Sequence, residues 1–309
     1  DLLVGEVRWA QAKIRGMKGD IRRFDQEFPL KWQDAFVAGG RPVFDQYILS
    51  KWDREPMPEE AIIASHMMEK NGRPDVDVLG NTLTIFRSPK KDHEYIVGTD
   101  SAAGVQDGDF SPAAVFDRHT REMVALFYAK VPPDELAEQA VLLARWYNNA
   151  YLIPEINNHG YATVRRIMDL GYPVHRRHGS REMVPGAKWS DNLGFMTTRA
   201  NRQMLIDLMS ECVRAESITT WSKDLISEMR TFVYDGKGKA DHMGGRHSDA
   251  IISLALCLYA DQILRPPAAL EEAEEKKDPD SRLDKWRGKR RKQGQKGKRS
   301  VHPRLGSFA

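Results

Sequence analysis

The sequence predicts an α/β fold in which a mixed β-sheet carries helices on both faces. Short stretches rich in β-branched and aromatic residues, such as Tyr95–Thr99, alternate with longer stretches of helical period, such as Pro133–Asn149. A third observation is the segment Asp249–Gln262, which is apolar nearly all round, as is typical of a helix buried on every side. This order of strands and helices favours a sheet that is covered on both faces.

The first hundred residues predict two helices and one strand. Leu3–Gly19 has the pattern of a helix, and irregular segments follow it. Pro58–Lys70 predicts a short helix, because a proline opens it and two glutamates occupy its first turn. Tyr95–Thr99 predicts a strand that ends at the turn-like sequence Asp100–Gly104.

The remaining elements predict a hairpin and then alternating helices and strands. Ala113–Phe116 and Met123–Tyr128 predict the two strands of the hairpin, and Pro133–Asn149 predicts the helix that follows. Further strands are predicted at Tyr151–Glu155, Pro173–His175 and Thr231–Tyr234, and further helices at His159–Leu170, Ala200–Arg214, Lys223–Met229 and Asp249–Gln262.

The composition excludes a membrane span. Of the 309 residues 41% are hydrophobic, enough for a core, but no run of about 18 apolar residues occurs. The first residues lack the features of a signal peptide and include no initiator methionine, which suggests a piece of a longer protein. Cys212 and Cys257 stand in apolar, helix-like patterns and predict buried thiols in a reducing cytoplasm.

The charge is distributed unevenly along the chain. Residues 281–309 contain 11 Lys/Arg and one acid, so residues 1–280 carry a net charge of −7 although the whole chain carries +3. After Pro266 and Pro267 the sequence is first acidic and then basic, with too few apolar residues to fold alone. Two uses of this tail stay open: contact with phosphate, or docking on an acidic protein.

Three acidic residues predict a catalytic site. Asp100 and Glu155 end apolar strands, and Asp249 opens the apolar helix. Because strand ends and adjoining helix starts meet at one edge of an α/β sheet, we expect these three side chains to lie together. Their charges would repel unless divalent cations neutralise them, and carboxylate oxygens suit Mg²⁺ or Mn²⁺ better than Zn²⁺. Two such ions would support phosphodiester hydrolysis.

Each acid also has a purely structural interpretation. Asp100 could form the turn after its strand, and Asp249 could be the N-cap of the last helix. Glu155 follows Pro154 in an apolar strand, where a buried acid requires a partner. The occurrence of all three acids favours a catalytic site over three separate structural roles.

Weaker candidates are two acids and a histidine for the metal, and three cations for phosphate: Asp107, Asp109, His247, Lys188, Arg199 and Arg202. Zinc is disfavoured, because no cysteine or further histidine has the spacing of a zinc ligand set. A phosphate-binding loop of the Gly-x-x-x-x-Gly-Lys-Ser/Thr type is absent from the sequence, so we expect no ATPase site of that kind in this chain.

Four motifs follow one another in a specific order: Ile96–Asp100, Pro154–Gly160, Glu228–Tyr234 and His247–Asp249. In order and spacing they resemble the large terminase subunit of tailed bacteriophages, over about residues 95 to 259. Upstream, Phe24–Pro29 and Asp34–Phe36 resemble the segment that joins the ATPase domain of that family to its nuclease. In one departure, the family often has two consecutive acids where this chain has Ser248 before Asp249.

The resemblance implies a ribonuclease-H-like nuclease that cuts concatemeric double-stranded DNA at the start and end of genome packaging. Asp100, Glu155 and Asp249 would be its metal ligands. Residues 1–62 would be the end of the ATPase domain and a linker, 63–268 the nuclease, and 269–309 a flexible tail. Implied partners are double-stranded DNA, the portal protein or procapsid and the small terminase subunit. Homo-oligomers would form only on the capsid, and the location would be the host cell cytoplasm.

Two other interpretations remain open at this point. The chain could be a ribonuclease-H-like nuclease of the resolvase or integrase type, although the upstream Phe24–Pro29 segment argues against this. It could also be an inactive module that binds DNA or the portal, which the three intact acids disfavour.

Overall fold

The computed structural model describes residues 2–19, 24, 28, 41–105, 108–177, 192–234, 240–242 and 248–267. The chain falls into two units, Asp1–Arg265 and Pro266–Ala309. Apart from Pro266 and Pro267, the second unit lies outside the described residues, so the flexible tail over 269–309 stays a prediction, as do the domain boundaries.

The elements are numbered along the described part of the chain. Its helices are α1 (Leu2–Gly16), α2 (Gln46–Arg54), α3 (Pro133–Trp146), α4 (Gly160–Asp169), α5 (Arg199–Arg214), α6 (Lys223–Thr231) and α7 (Asp249–Ile263). Its strands are β1 (Arg41–Pro42), β2 (Ile62–Ala64), β3 (His66–Lys70), β4 (Arg73–Asp77), β5 (Leu83–Ile85), β6 (Tyr95–Thr99), β7 (Ser111–Asp117), β8 (Glu122–Ala129), β9 (Tyr151–Pro154), β10 (Phe232–Tyr234) and β11 (Ala240–His242).

A six-stranded mixed sheet forms the centre of the first unit. Its strand order is β2-β5-β8-β7-β6-β9, and every pair is antiparallel except β6 and β9, which run parallel. The predicted β7–β8 hairpin and the strands β6 and β9 are confirmed. Two smaller sheets accompany the central one, β3 with β4 and β1-β10-β11.

Helices cover both faces of this sheet, as the sequence predicted. Alternate residues of β6 enter different cores, because successive side chains of a strand point to opposite faces. Val97 packs in the core that contains Leu136 and Leu143 of α3. Ile96 packs in the other core, which α5, α6 and α7 share, with Leu254 of α7 among its members.

Cys212 and Cys257 are both buried free thiols, in agreement with the prediction. Among the described helices, none combines the length and the apolar character needed to cross a membrane.

The predicted helix over Pro58–Lys70 is wrong: the structure has β2 and β3 there. Asn71 and Gly72 turn the chain back into β4 with φ values of 54° and 73°, the left-handed pair that tight hairpins favour. The hairpin is fixed to α3 by Gln139, which accepts from the Met67 N–H at 2.7 Å and donates to the Met67 carbonyl at 3.1 Å. Strand pairing therefore overrides the helix-start signal of the proline and the glutamates.

The predicted strand Pro173–His175 is also wrong. The segment makes isolated hydrogen bonds, from the His175 N–H to the Leu152 carbonyl at 2.8 Å and from the Gly194 N–H to the His175 carbonyl at 2.8 Å. Because Pro173 has no N–H to donate, a continuous ladder cannot form through it.

The contact between α7 and β6 fixes where α7 begins. At Gly98 the strand approaches the helix so closely that a Cβ atom would overlap the carbonyl oxygen of Ser253. Further along the helix, the Cys257 thiol lies 3.6 Å from the carbonyl oxygen of Ile96. The helix therefore runs antiparallel to β6, and its first residue, one turn before Ser253, lies beyond Gly98 at the strand's carboxyl end.

Replacing Gly98 with alanine should destabilise the protein by ~2 kcal/mol or more, because the added methyl group must displace the backbone of α7. Gly171→Ala is the matched control. Gly171 has a φ of +70° but no atom within 4 Å of the added Cβ, so it should cost only ~1 kcal/mol of backbone strain. Urea unfolding of both variants measures the loss in the free energy of unfolding. An equal loss in the two variants would refute close packing at Gly98.

Candidate active site

Asp100 and Glu155 meet at the carboxyl ends of two parallel strands. In the β6–β9 pair Thr99 lies opposite Pro154, so the next residue of each strand emerges at the same edge. The Glu155 N–H donates to the Thr99 carbonyl at 2.9 Å, which extends the pairing up to the acids. The two side chains are close enough for Glu155 to act electrostatically on Asp100. The structure therefore brings these two predicted site residues next to each other.

Asp249 joins this edge from the start of α7. Its Oδ2 accepts a hydrogen bond from the Phe110 N–H at 3.0 Å, and its charge adds to the electrostatic environment of Asp100. The alternative interpretation of Asp249 as the N-cap is wrong, since Ser248 holds that position and Asp249 is the first helical residue.

A fourth acid, Glu228 of α6, lies next to Asp249. Its side chain is buried and accepts from the Tyr128 hydroxyl at 2.8 Å, from the Ala250 N–H at 3.3 Å and from the Ile251 N–H at 3.0 Å. Burial raises the pKa of Glu228 from 4.5 to about 7, against the opposing effect of these hydrogen bonds. Burial, with the charge of Glu228, also raises the pKa of Tyr128, whose hydroxyl therefore remains a donor.

Several acids surround Asp100. Burial raises the pKa of Asp100 well above its ordinary value, and Glu155, Asp249 and Glu228 raise it further by repulsion. An acid in such surroundings is most stable when it is protonated or when a cation is close.

Two glycines let the chain pack closely around Glu155. A Cβ atom on Gly160 would overlap the carbonyl oxygen of Glu155 itself. Gly194, whose φ is +68°, lies against the side chain of Ile156, and the Ile156 N–H donates to the Phe195 carbonyl at 2.9 Å. Close packing against the backbone of Glu155 and against Ile156 leaves this part of the chain little freedom.

The donor chemistry of the cluster fits a hard divalent cation, which carboxylate oxygens bind in preference to softer ions. A cation between Asp100 and Glu155 would offset the repulsion between their two charges. The geometry is incomplete as it stands: among the described residues, no three His, Cys, Asp or Glu side chains are arranged to hold a metal ion. Asp100 and Glu155 emerge from neighbouring strand ends, while Asp249 accepts a hydrogen bond from the Phe110 amide.

Of the other six predicted site residues, three lie within the described part of the chain and three lie outside it. Asp109 is exposed beside Phe110, and Arg199 is exposed at the first position of α5. Arg202 donates to the Ala240 carbonyl at 3.2 Å and to the Ser248 hydroxyl at 3.4 Å, so it lies at the start of α7. The remaining three candidates lie outside the described residues: Asp107, Lys188 and His247.

Comparisons with known proteins support the fold. The large terminase nuclease of thermophilic phage G20c with bound magnesium matches with a TM-score of 0.50 and 18% identity, covering 71% of this chain and 97% of that one. The cobalt-bound form of the same nuclease gives 0.50 and 17%, with the same coverage. No protein-family model and no curated protein sequence matches the chain. The chain therefore has the ribonuclease-H-like fold of terminase nuclease domains.

The sequence did not assign a role to Glu228 or Tyr128. Glu228 is the first residue of the motif Glu228–Tyr234. Its position indicates burial, because it is three residues after Leu225 and therefore on the buried face of α6. An acid on the apolar face of a helix requires hydrogen-bond partners inside the protein. Its partners, the Tyr128 hydroxyl and two amides of α7, are visible only in three dimensions.

Without metal, the protein should lose stability as the pH rises from ~5 to ~8. Folded Asp100 and Glu228 hold protons at pH values where unfolded carboxyls have lost them, so the free energy of unfolding decreases with rising pH. For Glu228 this window extends from 4.5 to about 7. Asp100→Asn should flatten the dependence, measured as melting temperature in EDTA.

The control is Glu138→Gln, which removes a half-exposed carboxylate paired with Arg166 at the surface. This variant should keep the wild-type pH dependence. If Asp100→Asn keeps it as well, the carboxyl cluster is not its source.

Proposed function

We propose that this chain is the nuclease of a viral DNA-packaging motor, a metal-dependent endonuclease that cuts concatemeric double-stranded DNA. The observation that carries the proposal is that Asp100 and Glu155 emerge side by side from parallel strands, with Asp249 close to them, at one edge of the sheet. Like charges held close together in a partly buried site raise its free energy when no cation is bound, and clusters of perturbed acids of this kind mark functional sites. The fold shared with phage terminase nuclease domains supports the packaging role.

Asp100, Glu155 and Asp249 would hold Mg²⁺ or Mn²⁺, with Asp107, Asp109 and His247 as further candidates. Two such ions, when bound, would supply an activated water and stabilise the leaving oxygen in phosphodiester hydrolysis. The protein provides fixed negative charge: parallel strand ends hold Asp100 and Glu155, and the Phe110 amide orients Asp249. Fixed ligands reduce the reorganisation needed when the substrate binds.

Double-stranded DNA would approach this edge of the sheet. Arg199, exposed at the start of α5, and Arg202, which lies beside the start of α7, would contact the phosphates. Lys188 would assist from the segment between α4 and α5. Such contacts position the DNA backbone without reading its sequence.

Within a packaging machine, residues 1–62 would connect the nuclease to an upstream ATPase domain. The further partners would be the portal protein of the procapsid and the small terminase subunit, in the host cytoplasm. Homo-oligomers would form on the capsid.

One observation favours a second candidate, an inactive module that binds DNA or the portal: the described residues contain no ready-made set of three metal ligands. Cleavage assays with and without EDTA separate the two functions.

Asp100→Asn and Glu155→Gln should each abolish cutting of plasmid DNA in Mn²⁺, because each keeps the side-chain shape and removes a charge that neutralises the metal. Glu138→Gln is the matched control, a surface substitution that should cut at the wild-type rate. Gel assays with folding checked by circular dichroism test this. Wild-type rates in either folded site variant would contradict the proposal, and metal-independent wild-type cutting would contradict the mechanism.

Deleting residues 269–309 should leave metal-dependent cutting of short DNA nearly unchanged at ~150 mM salt, where exposed charges are screened beyond ~8 Å. The deletion should weaken binding to the portal or packaging into capsids, because the basic segment 281–309 would dock there. Loss of cutting by a folded, truncated protein would place the tail within the nuclease and move the domain boundary.

A further inference from the structure

The first turn of α7 is capped by a side chain from another helix. A helix start leaves N–H groups without intrahelical partners, and the N-cap side chain normally accepts from one of them. Ser248 is the N-cap of α7, but its side chain makes no capping hydrogen bond. Glu228 of α6 accepts instead from the N–H groups of Ala250 and Ile251, at 3.3 and 3.0 Å. The amides that receive this carboxylate directly follow Asp249.

A second set of contacts links Glu228 to Asp249 through Tyr128 and Phe110. The Tyr128 hydroxyl donates to Oε1 of Glu228 at 2.8 Å. The Tyr128 ring stacks on the Phe110 ring, with centroids 4.1 Å apart and planes inclined by 11°. The Phe110 N–H in turn donates to Oδ2 of Asp249. These contacts form a closed ring: Tyr128, Glu228, the first turn of α7 with Asp249, and Phe110.

The hydrogen bonds of Glu228 distinguish its role from that of a metal ligand. Its Oε1 accepts from Tyr128 and Ala250, and its Oε2 accepts from Ile251. A carboxylate has about four lone-pair sites, so three of them are occupied within the protein. The group is also buried, at 6% exposure. Glu228 therefore uses its oxygens to hold Tyr128 and the first turn of α7 in place.

We propose that Glu228 and Tyr128 are positioning residues that set the orientation of Asp249 through the first turn of α7 and the Phe110 amide. The inference rests on the proposed function, because it assigns Asp249 to the metal site. The aromatic pair and the buried carboxylate fix the helix start, so that Asp249 presents one carboxylate geometry to an incoming cation. Groups that orient metal ligands in this way contribute to affinity without touching the ion.

Two variants break this closed set of contacts at different points. Tyr128→Phe removes the hydroxyl donor and keeps the stacked ring, while Glu228→Gln keeps the shape but turns an amide group towards backbone donors. Matched controls remove comparable groups elsewhere. Tyr172→Phe deletes a buried hydroxyl that donates to the Ala150 carbonyl at 2.7 Å. Asp261→Asn deletes a carboxylate at the opposite end of α7, which pairs with Arg118 at 2.8 Å.

The first measurement is Mn²⁺ affinity by calorimetry on the full chain. Glu228→Gln should bind Mn²⁺ ~10-fold more weakly, and Tyr128→Phe should change in the same direction by less. Cutting by both variants should recover towards the wild-type rate at saturating Mn²⁺, unlike cutting by Asp100→Asn. The second measurement is hydrogen exchange of a peptide spanning residues 248–256, which should exchange faster in both variants. Neither control should alter the affinity or the exchange of this peptide.

Wild-type Mn²⁺ affinity and peptide exchange in Tyr128→Phe and Glu228→Gln would overturn the inference, even if Asp100→Asn abolishes cutting and so upholds the nuclease. Should Glu228→Gln fail to fold, Tyr128→Phe decides alone. If Glu228→Gln still fails to cut DNA at saturating Mn²⁺, Glu228 itself ligates the metal and the positioning role is wrong. If the wild-type protein neither binds Mn²⁺ nor cuts DNA, the proposed function fails and this inference fails with it.

Discussion

The close contact between α7 and β6 at Gly98 is the constraint on which the site depends. With no side chain at Gly98, the backbone of the helix can approach the strand near Ser253. That approach sets both the direction and the longitudinal position of α7, and so places Asp249 at the end of β6 where Asp100 emerges. The parallel pairing of β6 with β9 then adds Glu155 at the same edge. Backbone geometry, rather than attraction between side chains, assembles the acids.

Such an assembly is unfavourable for the metal-free protein, and the energy for it must come from elsewhere in the fold. The two cores on either side of the sheet supply apolar burial. Their packing holds four carboxyls, those of Asp100, Glu155, Glu228 and Asp249, closer than their charges favour. Because strain of this kind is relieved by positive charge, the same packing that destabilises the metal-free site would favour cation binding.

The sequence predicted the central strands and helices well, because each has a clear apolar period. It failed at Pro58–Lys70, where helix-start residues precede a hairpin. The Asn71–Gly72 turn was the signal for that hairpin, but the stability of β3 comes from distant contacts with Gln139. Short strands such as β5 were missed for a similar reason: three residues carry too little periodicity, and only their partners in the sheet define them.

For the candidate site, the sequence predicted that Asp100, Glu155 and Asp249 lie together because each stands at the end or start of an apolar element. It could not give a role to Glu228, whose partners come from β8 and α7. Interactions between elements far apart in the chain have no local sequence pattern. The resemblance to terminases contributed the fold, which structural similarity supports at low sequence identity.

The order of the acids along the chain has a consequence for biosynthesis. Asp100 and Glu155 are translated early, whereas Asp249 begins α7, the last helix of the described residues. That helix supplies much of one core, so a nascent chain that ends before it cannot complete the packing that holds the carboxyls together. Domains generally fold as units during synthesis. The acidic centre is therefore assembled only after α7 has been made, and an incomplete chain lacks it.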